Sequence, residues 1–135
     1  MALARAVRTV HAEPPDQVIW REVGSIDGHQ VLFQNVLVAL YIRNEGKTES
    51  GLIIPDKVFE EDRYQAKAAM VLKLGPTAFV DTEDGPKFGG FTVKPGDWVV
   101  FRPSEGLAMQ IGQCKCRLIA DVHIKMVIDH PDDIY

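Results

Sequence analysis

Long apolar runs are absent from this chain. The longest uncharged apolar stretch, Val36-Leu37-Val38-Ala39-Leu40-Tyr41-Ile42, falls far short of the roughly 20 residues that a membrane-spanning helix needs. At the N-terminus, Arg5 and Arg8 interrupt the apolar residues before a continuous h-region forms, so no secretory signal is expected. Excess positive charge is absent too: 15 Lys and Arg face 19 Asp and Glu, for a net charge of -4 and a pI near 5.5. Non-specific nucleic-acid binding depends on clustered cations, so nucleic acid is excluded as an expected partner.

Cysteine is scarce. Cys114 and Cys116 are separated by one residue, so on a strand they share a face and form a poor disulfide pair. Ordinary reduced thiols in a cytoplasmic protein explain them. With His123 they are too few for structural zinc, whose Cys pairs enclose two to four residues. His11, His29 and His130 fall in or beside turns and tails, with no Ser or Cys motif to make one a catalytic base. No phosphate-cradling or dinucleotide-type glycine loop occurs. Asp81, Glu83 and Asp84 faintly resemble a calcium loop, but Pro86 and Thr92 stand where the Gly and the bidentate Glu belong, leaving a solvated turn. The chain is therefore expected to be neither an enzyme nor a holder of metal or cofactor.

What remains is a chain of 135 residues with 46% hydrophobic and 25% charged residues, enough for one ordinary globular domain. Residues 1–30 differ from the rest, with a possible helical turn at Leu3, Val7 and Val10, a break at Pro14-Pro15 and another at Asp27-Gly28. They read as an N-terminal extension to a domain at 31–135. From Gln30 onward, β-branched and aliphatic runs alternate with Gly, Pro, Asp and Asn. Strands are expected at Val36 to Ile42, Ala68 to Leu74, Trp98 to Arg102, Ala108 to Ile111, Cys116 to Ala120 and Val122 to Ile128. Val93-Lys94-Pro95-Gly96-Asp97 has the composition of a tight turn, with Pro fixing φ and Gly supplying a positive φ. Short strands at this spacing predict an all-β fold, a small barrel or sandwich.

One segment departs from this pattern. Leu52-Ile53-Ile54 lies between Gly51 and Pro55, flanked by polar stretches at Arg43 to Ser50 and Asp56 to Arg63. A short buried strand is the plain reading of such a triplet. Against it, the flanks are too polar and Gly-broken to pack, and the triplet lacks the alternation of a half-buried strand.

Taken in order, these segments resemble the GroES co-chaperonin family over about residues 30 to 130. Asn35-Val36-Leu37-Val38 is similar to its first strand. Gly51-Leu52-Ile53-Ile54 falls where the family carries Gly and an Ile-Val-Leu anchor. Ala69 to Pro76 resembles the strand entering the roof, and Val93 to Phe101 the Val-Lys-x-Gly-Asp turn and following strand. Ala69 stands where many relatives have Gly, the roof region Pro76 to Thr92 is longer, and residues 1–30 have no counterpart. These departures fit a divergent member, one of bacteriophage origin included. The resemblance implies an irregular small β-barrel with a mobile loop, and a homo-heptameric ring that caps a GroEL-type chaperonin around encapsulated substrate protein. The chaperonin, not this chain, hydrolyses the ATP. It also implies that Gly51, Leu52, Ile53 and Ile54 bind the chaperonin, and that the protein works in the cytoplasm, the host's if phage-encoded. Val31 to Phe33 and Val122 to Ile128 are the expected ring-forming edges, since both left free would invite association. A different class remains open: an OB-like binding module that stacks nucleic acid or sugar on Trp98, Phe101 or Phe91.

Overall fold

The structure, a computed structural model, describes residues 13–41 and 67–134. The helical turn expected at Leu3, Val7 and Val10, and the anchor Gly51 to Ile54, lie outside the described residues.

A short helix, α1 (Pro15–Val23), precedes six strands: β1 (Asn35–Leu40), β2 (Ala68–Leu74), β3 (Trp98–Phe101), β4 (Leu107–Ile111), β5 (Cys114–Ala120) and β6 (Ile124–Ile128). They form one antiparallel sheet in the order β4-β5-β1-β2-β3-β6. The fold is all-β as expected. The outer strands β4 and β6 are not paired with each other, so the sheet is not closed into the expected barrel.

Both faces of the sheet's centre are buried. β1 is buried along almost its whole length, which is why its sequence is an unbroken apolar run instead of an alternating one. A single row of facing residues, Met109–Cys116–Ala39–Met70–Trp98–Ile128, crosses all six strands on one face. Helix α1 covers that face with Ile19 and Val23, one turn apart, and Ile26 and Val31 continue the cover. The opposite face carries Val36, Val38, Leu40, Ala69, Val71, Val99, Phe101 and Ile119, closed over by Phe79 and Val93.

Pro14-Pro15 does not end structure; it begins it. Pro15 stands at the first helical position, where its missing N–H is no loss and its fixed φ suits the helix. At the far end, Gln113 N–H donates to Glu22 O at 2.9 Å. Gly112, at φ +60, passes so close that a Cβ would come within 2.5 Å of the same oxygen. The β4–β5 turn thus receives a carbonyl from the helix C-terminus.

The turn at Lys94 to Asp97 has the expected form. Asp97 N–H donates to Lys94 O at 3.0 Å, Gly96 takes φ +97, and Gly96 and Asp97 exchange backbone hydrogen bonds with Val71 at 2.8 Å each. The Asp97 carboxylate accepts from Lys94 N–H at 3.0 Å and pairs with Lys94 Nζ at 3.1 Å.

Candidate functional site

Segment 42–66, which includes the expected anchor, is rooted at both ends at the sheet's centre. Tyr41 N–H donates to Ala68 O at 3.0 Å, so the two roots are held together as an extension of the β1–β2 ladder. Lys67 O accepts Phe101 N–H at 3.0 Å, tying the returning root to β3. The Tyr41 ring packs edge-on against Trp98, with centroids 5.8 Å apart and an interplanar angle of 80°. Its hydroxyl donates to Oδ1 of the buried Asp132, and Asp132 N–H donates to His130 Nδ1 at 3.1 Å.

The second buried carboxylate, Asp121, accepts Phe79 N–H at 2.9 Å. Phe79 holds φ +61 and centres an aromatic cluster, with Phe88 at 5.2 Å and Phe91 at 5.8 Å between centroids. Asp121 fixes a strained backbone residue on which the long connection between β2 and β3 is organised. Sequence reading missed both carboxylates, because nothing local in the sequence marks either Asp for burial.

The stacking residues of a binding module do not come together. Trp98 is 8% exposed and Phe101 2% exposed; only Phe91, at 48%, faces solvent. Asp81, Glu83 and Asp84 lie on an exposed turn, where Asp81 Oδ1 accepts Phe88 N–H at 2.6 Å.

Cys114 and Cys116 face the same side of the sheet in one cluster and are unbridged, as their spacing predicts. A hydrogen bond to Cys116, with burial, pushes the Cys114 thiol far above the usual range. The same bond, helped by the Ile111 backbone, holds Cys116 below it. No three His, Cys, Asp or Glu side chains among the described residues form a metal-ligand set. Among those residues, no helix is long and apolar enough to cross a membrane.

Among the described residues, both outer strands have an unpaired side, β4 with Leu107 exposed on it. β6 pairs on one side only, with β3, and shows Met126 and Val127 to solvent. Leu32 and Phe33 are exposed, at 50% and 66%, and Phe33 sits at φ +58 with its carbonyl accepting Thr77 N–H at 3.1 Å. A bulky residue held left-handed and turned to water is an uncommon arrangement.

A small all-β chain with an outer strand edge open among the described residues and exposed apolar side chains has the features of a protein that binds others of its kind or a partner. The chaperonin 10 kDa subunit family matches residues 29–128. The chain belongs to this family, and its role is that of a co-chaperonin, a partner of a GroEL-type chaperonin that acts as an oligomer. The family is not one of enzymes. No curated protein matches the chain.

Proposed function

We propose that the protein caps a GroEL-type chaperonin ring in an ATP-dependent cycle, as a homo-heptamer that encloses substrate protein in the cytoplasm and itself hydrolyses nothing. The family match over residues 29–128 carries this reading. Residues 1–30 would be an addition to the 31–135 domain. In them Pro15–Val23 covers one face of the sheet.

Gly51, Leu52, Ile53 and Ile54 form the chaperonin contact on this reading. Full burial of each apolar side chain in a groove yields roughly 1.5 to 3 kcal/mol, against about 2 to 5 kcal/mol for ordering a segment on binding. One anchor therefore binds weakly. Several on one ring bind by avidity, which stays reversible when the nucleotide state changes. Gly51 permits a bend before the anchor and Pro55 stops the extended stretch after it. Ring closure would join the free side of β6 to the Val31 to Phe33 segment of the next subunit. That pairing would remove an exposed strand edge and cover Leu32 and Phe33.

The test is suppression of chaperonin ATPase together with refolding of a substrate that cannot fold unaided. Wild type is expected to do both and Ile53→Asp neither. Failure of wild type in both assays refutes the co-chaperonin cycle, whereas an active Ile53→Asp refutes the anchor alone.

A further inference from the structure

The family match ends at residue 128, yet the chain beyond it is not loose. Pro131–Asp133 forms a 3-10 turn in which Pro131 and Asp132 are buried. Asp132, 1% exposed, accepts the hydroxyl proton of Tyr41. Burying a carboxylate is costly unless hydrogen bonds replace its water, so an Asp kept here must return something to the structure. Among its partners is Tyr41, the last described residue before 42–66, whose own N–H closes onto Ala68 just after that segment. Trp98 backs the Tyr41 ring and pairs in register with both Met70 and Ile128. The C-terminal turn, β3 and the two roots therefore meet at one residue, the first two at its side chain and the returning root at its backbone.

We infer that Asp132 is a positioning residue: through Tyr41, the C-terminal turn fixes the point and direction from which segment 42–66 leaves the sheet. In a capping ring, which rests on the proposed function above, this aims each anchor at its groove. Segments that start from a fixed root have fewer orientations to lose on binding, so affinity gains without a new contact.

Three variants test it: Asp132→Ala removes the acceptor, Tyr41→Phe removes the donor, and Asp132→Asn keeps an acceptor oxygen. Amide hydrogen exchange is the first measurement. Tyr41 N–H should exchange about tenfold faster in Asp132→Ala and Tyr41→Phe, the scale of a hydrogen bond to a charged group. In the same proteins Val38 and Val99, in the sheet core, should keep their wild-type rates, and Asp132→Asn should restore Tyr41. Unchanged Tyr41 exchange overturns the inference. So does acceleration at Val38 and Val99 equal to that at Tyr41, which would make Asp132 a support of the whole fold.

The second measurement is affinity for a GroEL-type ring with ATP, taken where circular dichroism shows each variant folded. It should fall about tenfold for Asp132→Ala and recover in Asp132→Asn. Faster Tyr41 exchange with undiminished affinity also overturns the positioning role. If wild type itself does not bind the ring, the proposed function fails, and exchange at Tyr41 alone then decides whether Asp132 fixes the root.

Discussion

Replacing Gly75 by Ala should unseat the segment that carries Leu32 and Phe33. The backbone at Gly75 is not left-handed, so the cost is one of space. A Cβ there would overlap the Phe33 carbonyl oxygen and lie 2.9 Å from that of Leu32. Both neighbours are backbone atoms and cannot rotate aside, so the chains must separate. Separation breaks two hydrogen bonds that fasten the segment, Gly75 N–H to Asn35 O at 2.8 Å and Thr77 N–H to Phe33 O at 3.1 Å. At about 1 kcal/mol each, the loss is about 2 kcal/mol. For a domain of this size that lowers Tm by about 8 °C. Differential scanning calorimetry reads it, at one protein concentration for both proteins, because the Tm of an oligomer depends on concentration. A fall smaller than about 1 °C would show that Gly75 is dispensable and that the close approach of the two backbones is not what holds Leu32 and Phe33 in place.

Phe33→Asn relieves a bulky left-handed residue, so the isolated subunit should keep or gain stability, by up to about 1 kcal/mol, while native mass spectrometry shows fewer assembled rings; undiminished assembly would remove Phe33 from the ring contact. Ile19→Ala should cost about 2 to 3 kcal/mol in urea unfolding, since Ile19 is buried between α1 and the sheet. The thiol pair predicts a pH dependence. Above the ordinary thiol pKa, about 8.5, the unfolded chain has released both protons while the folded chain keeps the one on Cys114. Folded protein then binds more protons than unfolded, so stability falls as pH rises. Urea midpoints between about pH 8 and 10 should show that fall in wild type and a flatter profile in the Cys114→Ala, Cys116→Ala double variant.

Much of the sheet was legible because its strands are short, apolar and bounded by turn residues. Ala68–Leu74 coincides with its expected span, and the other strands differ by a few residues at their ends. The expected start of the last strand was early because Asp121–His123 forms a 3-10 turn before Ile124. That turn is anchored by a buried Asp121 that no local pattern announces. The helix was illegible for a related reason: Pro15 reads as a break unless it falls at the first turn, and only packing decides which. Gly75 follows the end of β2 and opens a turn in which Ala78 N–H donates to its carbonyl at 3.2 Å, but its close crossing with Leu32 and Phe33 is a matter of space that no local pattern carries. The open ends of the sheet were not predictable from any strand, because closure depends on how β4 and β6 lie relative to each other. The anchor Gly51 to Ile54 was read from contrast with its polar flanks and from its place in the family's order of segments. The grip of Asp132 on Tyr41 spans 91 residues of chain and leaves no trace in either neighbourhood.

On the proposed function, this chain docks on a chaperonin ring through Leu52, Ile53 and Ile54. Co-sedimentation with a GroEL-type chaperonin, with and without ATP, tests it most directly. Wild type should sediment with the ring only when ATP is present, and Ile53→Asp should stay in the supernatant under both conditions; wild type remaining in the supernatant with ATP, or Ile53→Asp sedimenting as wild type does, would contradict the account.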